Sequence, residues 1–228
     1  STGEWLKLLL KKIKDIRKRK KVPIIVGGTG LYFKALTEGL VKIPNIPFKF
    51  RNTVRNFQKE IGQKQFFKKL IKIDPKIIKK INPTDIQRSI RAYEVKLYTN
   101  KSLIKWFEST KSKFSENEFI KIYIDFPRSE LLKRISKRTD EIFKQGVIAE
   151  VKKFLNLKTS YDKTANKVIG ISEIRDYIKK KTDLDKTKEK IMIKTRQYAK
   201  RQSTWARGHM QNWQKLSPQD LKKFLKKI

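Results

Sequence analysis

The sequence predicts an α/β chain: part of a parallel-sheet core, followed by a helical insertion and a helical C-terminal part. Two observations carry this. The apolar run Val22-Pro-Ile-Ile-Val26 ends in Gly27-Gly28 and feeds a helical pattern, the mark of a buried strand in a parallel sheet. Outside residues 119–126, which read as a second strand, nearly all remaining text repeats with helical period. A buried strand needs neighbours on both sides and the sequence offers one other, so the N-terminal part of this domain is expected to be missing from these residues. Three segments are expected: the C-terminal part of the first half of the core at 1–47, a helical insertion at 48–114, and the remainder of the core with C-terminal helices at 115–228.

Taken in order, Trp5, Leu6, Leu8, Leu9, Ile13 and Ile16 give the stripe of a first helix. A second pattern covers 31–40, and Pro44 and Pro47 then break the chain. Short basic helical patterns run from 51 to 108, broken at Asp74-Pro75 and restarted by Thr84-Asp85 ahead of 86–98. After the second strand, residues 128–144 form a helix that Gly146 caps, and 147–157 continue. A loop around 158–170 leads to three further helices, the last starting near Ser217-Pro218.

Composition narrows the function. The 228 residues carry 58 Lys plus Arg against 22 Asp plus Glu, a net +36, which calls for a polyanionic partner. Lysine is scattered through Lys/Ile-rich text, so the 13 arginines carry more weight, because a planar fork matches phosphate. No apolar run approaches the roughly 18 residues of a membrane span, which argues against a membrane partner. With no cysteine and one histidine, His209, disulfides, thiolate metal sites and a histidine triad are excluded or disfavoured. No signal peptide is visible, so the cytoplasm is the expected compartment and a monomer the expected form.

The most informative stretch is 195–207, Thr-Arg-Gln-Tyr-Ala-Lys-Arg-Gln-Ser-Thr-Trp-Ala-Arg. At helical spacing Arg196, Lys200, Ser203 and Arg207 share one face, while Ile191, Tyr198 and Trp205 form a neighbouring stripe expected to dock on the protein. No acidic residue interrupts 190–219. A phosphate track beside a stacking surface suits nucleic acid; the plainer alternative is a solvated amphipathic helix covering a core.

Four ordered motifs now carry a resemblance: residues 26–32 (Val-Gly-Gly-Thr-Gly-Leu-Tyr), 85–95 (Asp-Ile-Gln-Arg-Ser-Ile-Arg-Ala-Tyr-Glu-Val), 138–146 (Arg-Thr-Asp-Glu-Ile-Phe-Lys-Gln-Gly) and 195–207. In order and spacing they resemble the bacterial tRNA dimethylallyltransferases, over essentially the whole chain. The resemblance implies a P-loop-kinase-like core with a helical insertion. It implies transfer of a dimethylallyl group from dimethylallyl diphosphate to the exocyclic amine of the adenine 3′ of the anticodon, with Mg²⁺ as cofactor and the tRNA anticodon stem-loop as partner.

Residue by residue, the resemblance implies Thr29 and Arg138 as catalytic, Thr29 also touching the tRNA and Arg138 binding diphosphate. It implies tRNA contacts at Arg51, at Gln87, Arg88, Ser89, Ile90 and Arg91, and at the loop Lys167, Val168, Ile169, Gly170, Ile171 and Ser172. The same holds for Lys200, Arg201, Gln202, Ser203, Thr204, Trp205, Ala206 and Arg207. The loop departs from the family pattern at Ile171 and Ser172, where an aromatic and a basic residue are common. The family's P-loop and acidic general base are expected to precede residue 1; Gly27-Gly28-Thr29-Gly30 lacks the following lysine of a Walker A loop. No metal ligand is therefore expected in these residues, and no measurable transfer by them alone. A non-catalytic RNA-binding remnant of such an enzyme is the alternative, and a small-molecule P-loop kinase a more distant one.

Overall fold

A computed structural model of the chain describes residues 1–157, 159 and 164–226. It is a mostly helical α/β structure with one small parallel sheet, and it divides into two compact units: residues 1–26 with 31–119, and residues 27–30 with 120–228.

In the first unit, α1 (Thr2–Lys18) opens on a capping box in which Ser1 and Glu4 satisfy each other's backbone ends. Its Trp5 stacks on Tyr32 of α2 (Gly30–Thr37), with ring centroids 4.3 Å apart. The segment between them corrects the sequence reading. Residues 22–26 form no strand, and Val22, Ile24 and Val26 are 77%, 76% and 88% exposed. An apolar run becomes a buried strand only where ladder partners exist, and none pairs with it among the described residues.

α3 (Phe48–Ile73) is kinked at Gly62, whose φ of 72° and ψ of 164° lie outside helical space. It ends at Asp74-Pro75, where proline cannot continue the ladder. The side chain of Asp85 accepts the Arg88 backbone N–H at 3.0 Å and starts α4 (Ile86–Thr99). α5 (Leu103–Glu108) follows. Phe67, Leu70, Ile77, Val95 and Leu103 form the main core here, and Val54, Phe66 and Ile90 a second cluster.

In the second unit, β1 (Ile122–Ile124) pairs in parallel with β2 (Gln214–Leu216), Tyr123 opposite Lys215. The strand expected over 119–126 is thus shorter, and its partner was not foreseen. A parallel pair needs a long crossover, and among the described residues four α-helices lie along it. They are α6 (Arg128–Lys144), α7 (Val147–Asn156), α8 (Ile171–Ile178) and α9 (Leu184–His209). Gly146, at φ 89°, takes the left-handed turn between α6 and α7 that a side chain would resist. Val151, Ile174 and Ile191 form the core of this unit, and α10 (Pro218–Leu225) closes it.

Candidate nucleic-acid interface

α9 is a 26-residue helix started by Asp183, whose carboxylate accepts the Lys186 N–H at 2.7 Å. It buries Thr187, Ile191 and Ala206 and leaves Arg196, Lys200, Arg201, Thr204 and Arg207 exposed. Arg196, Lys200, Ser203 and Arg207 do share a face. They line one wall of a cavity of about 750 Å³ that also meets Arg128 and Lys215. Its floor is apolar, from Tyr123, Phe126 and Ile135, and Asp125 supplies a carboxylate. Cations over an apolar floor are only partly screened by water, which strengthens their hold on a phosphate-bearing ligand. The neighbouring stripe docks as expected at Ile191, which is buried, and at Trp205, which packs against Gly30, but not at Tyr198. Tyr198 is 44% exposed, with the Arg201 guanidinium 5.7 Å from its ring centroid.

The glycine turn before α2 is tied to α9 within the same unit. Gln202 donates its side-chain N–H to the Gly28 carbonyl at 3.0 Å. Gly30 lies against the Trp205 indole so closely that an added Cβ would sit 2.1 Å from ring carbon Cε3. Trp205 stacks in turn on His209, centroids 4.4 Å apart and planes 4° from parallel. The turn is therefore held by contacts to α9 rather than by a strand. Thr29 between the glycines is exposed, which replaces the expectation that it ends a buried strand.

Within the loop before α8, Lys167 and Val168 are exposed, while Ile169 and Ile171 pack on the Ile174 cluster. Gly170 and Ser172 both donate to the buried carboxylate of Glu173, each at 2.8 Å, and Lys194 completes its shell. Burial pushes the Glu173 carboxyl up, but the hydrogen bonds from Lys194, its own backbone, Ser172 and Gly170 outweigh it and hold it below the ordinary carboxylate value. Ser172 is thus engaged inside the protein. The part of this loop at 158 and 160–163 lies outside the described residues.

Arg51 and residues 87–91 sit in the first unit. Gln87 and Arg88 are exposed on α4, Arg88 pairing with Asp85 at 3.3 Å. Arg51 and Arg91 both flank the buried Glu94. Ser89 and Ile90 point inward, which removes their side chains from the expected contact face. Ser89 is fully buried, donating to the Asp85 carbonyl and accepting from Gln63, and Ile90 packs with Val54 and Phe66. Ala206 is likewise interior. A helix that packs on one side cannot present five consecutive residues to a ligand.

With this geometry in place, the IPP transferase family model matches residues 1–209. The chain belongs to the IPP transferase family. It is 55% identical over all 228 residues to a tRNA dimethylallyltransferase of Pelagibacter ubique and spans 73% of it. It is 38% identical over 93% of its length to the enzyme of that name from Rickettsia massiliae, spanning 59% of that protein. Among solved structures, a tRNA isopentenylpyrophosphate transferase from Staphylococcus epidermidis matches 95% of the chain and 70% of its own length at 31% identity and TM-score 0.58. A eukaryotic dimethylallyltransferase at 24% identity and TM-score 0.77, with 95% of this chain and 56% of that one covered, shares the fold.

In this IPP transferase chain, Arg138 is exposed on α6, one turn beyond Ile135 of the cavity wall, and no hydrogen bond or ion pair joins it to Thr29 among the described residues. Among the described residues no three His, Cys, Asp or Glu side chains converge on a metal position, and Asp125 is a single carboxylate that shares the cavity lining with Arg128 and Lys215. No helix of the described residues is long and apolar enough to cross a membrane. Glu94 and Glu173, which organise the basic residues around them, were missed by the sequence reading; buried acids in Lys-rich text leave no local signal.

Proposed function

We propose that the chain is the tRNA-receiving part of a transferase acting on the adenine 3′ of the anticodon, with dimethylallyl diphosphate as donor. In that reaction the allylic C–O bond breaks with its electron pair leaving on diphosphate, and the adenine amine nitrogen forms the new C–N bond and releases its proton to solvent. The observation that carries the reading is α9. One face offers Arg196, Lys200 and Arg207 to an anionic ligand, and another fixes the Gly28 to Gly30 turn through Gln202 and Trp205. Cations beside an apolar floor hold a backbone phosphate through charge-assisted hydrogen bonds and so fix the register of the RNA. A base must leave its stack to reach such a site, and an exposed Thr29 hydroxyl beside a fixed turn suits a polar contact to it.

The test is binding of an unmodified anticodon stem-loop, compared with the same hairpin abasic at that adenine. Tighter binding of the intact loop, with no change for an abasic position elsewhere in the loop, is the expected result. Equal affinity for all three hairpins would reduce the chain to a general polyanion binder.

A further inference from the structure

Helix α1 carries a charge pattern that the reading above does not use. Residues 11–21 hold eight Lys and Arg with Asp15 as the only acid, the densest basic run in the chain. At helical spacing Lys7, Lys11, Lys14 and Lys18 fall on one face, and all four are exposed. The opposite face holds the helix on the protein: Ile13 is buried, Leu9 and Ile16 are half-buried, and Trp5 stacks on Tyr32. The acids of α1 are engaged away from the stripe, Glu4 in the capping box with Ser1 and Asp15 with Arg19 at 3.4 Å. Arg17 is engaged as well, pairing with Glu118 at 3.1 Å, its guanidinium 5.4 Å from the Phe114 ring centroid. On other helices lysines do meet carboxylates, as in Lys34 with Glu38, Lys137 with Glu141 and Lys188 with Asp140. Among the described residues the four stripe lysines pair with none.

Like charges one turn apart weaken a helix, and a polyanion lying along the stripe would relieve that repulsion. We infer that the α1 stripe is a docking rail for the sugar-phosphate backbone of a base-paired RNA stem, distinct from the α9 face. From Lys7 to Lys18 the rail is about 16 Å long, at a rise of about 1.5 Å per residue. Lysine is a point charge without the planar fork that grips one phosphate, which suits a regular backbone better than a single anion. A single strand would call for exposed rings on which its bases stack, and the one aromatic residue of α1, Trp5, is taken by Tyr32. A membrane surface would call for a row of inserted apolar side chains, and Leu8 is the one large apolar residue of α1 that is exposed. Stem phosphates carry no sequence, so the rail strengthens binding without selecting the base. This rests on the reading of the chain as a tRNA binder.

The experiment measures, by fluorescence anisotropy across a salt series, binding of a blunt RNA duplex, of one of its strands alone, and of the intact and abasic anticodon hairpins. Three proteins are compared: the wild-type chain, a triple variant Lys11→Gln, Lys14→Gln and Lys18→Gln on α1, and a charge-matched triple variant Lys222→Gln, Lys223→Gln and Lys226→Gln at α10. All six lysines are exposed and glutamine matches lysine in helix propensity, so circular dichroism should be unchanged. The α1 variant should lower the log-log salt slope for the duplex by about 2 to 3, roughly 0.7 to 0.9 for each of three contacts, and leave the single strand nearly unaffected. The α10 variant should keep the wild-type slope, and the preference for the intact hairpin should survive in the α1 variant. No duplex binding by the wild type, a duplex slope unchanged in the α1 variant, or an equal drop in the α10 variant or for the single strand would overturn the inference. So would binding to phosphatidylserine vesicles that the α1 variant loses while it still holds the duplex. Absence of a hairpin preference in the wild type would instead overturn the functional reading.

Discussion

Gly28 and Gly30 offer a controlled comparison, because a methyl group added at either meets α9 at nearly the same distance but against different material. At Gly30 the new Cβ would lie 2.1 Å from Trp205 Cε3, and since ordinary contact begins near 3.4 Å the indole would have to retreat by 3.4 − 2.1 = 1.3 Å. The ring is rigid, it stacks on His209, and its neighbour Ala206 is buried, so α9 cannot simply follow. Overpacking of this kind costs about 1 to 3 kcal/mol, offset by up to about 1 kcal/mol from the better helix propensity of alanine. At Gly28 the Cβ would lie 2.2 Å from the Gln202 side-chain nitrogen, the free end of a flexible side chain. Turning that amide away costs about one hydrogen bond, roughly 0.5 to 1.5 kcal/mol. Gly30→Ala should therefore lower the thermal midpoint by roughly 2 to 8 °C, and Gly28→Ala by less. Circular dichroism melts give the ranking, and tryptophan emission reports whether an indole has moved. A Gly30→Ala protein as stable as wild type, or a Gly28→Ala protein that is worse, would refute the claim that the turn is fixed by packing on Trp205.

Other consequences follow from the same contacts. Glu173 has a folded pKa below its unfolded value, so its stabilising share is present above the ordinary carboxylate range and disappears as pH falls through the lowered folded value. The urea midpoint of wild type should exceed that of Glu173→Gln near neutrality, and the gap should close on acidification; a gap constant with pH would contradict this. Phe66→Ala empties a fully buried site between Val54 and Ile90 and should cost about 3 to 5 kcal/mol in urea unfolding, with a loss below 1 kcal/mol as the contrary result. Arg201→Ala and Arg207→Ala should weaken all hairpins alike, each reducing the salt slope by about 0.7 to 0.9, because phosphate contacts position without specifying sequence. Selective loss for one hairpin would mean that these side chains read bases.

The sequence made local signals legible and left long-range ones hidden. The N-cap at Asp85, the break at Asp74-Pro75 and the left-handed Gly146 are decided within a few residues, and all three appear where expected. The face formed by Arg196, Lys200, Ser203 and Arg207 follows from helix period alone and is present. Residues 22–26 show the limit, since apolar content reports a tendency to be buried and not the presence of a partner strand. Strand β2 is three residues, Gln-Lys-Leu, too short to alternate visibly, and is held at its ends by Gln214 N–H donating to the Lys121 carbonyl and Asp125 N–H donating to the Leu216 carbonyl. Ser89 and Ile90 were placed on the RNA side because the motif was read as one block, although α4 buries one face, Ser89 and Ile90 included, against α3. Glu94 and Glu173 hold partners that only the fold brings near.

The central claim, that the basic faces receive RNA backbone, is tested most directly by the salt dependence of anticodon stem-loop binding to the intact chain. If about five phosphates are engaged, log affinity should fall against log salt with a slope near −3.5 to −4.5. An affinity unchanged between low and physiological salt would contradict it, because phosphate contacts cannot form without releasing counter-ions.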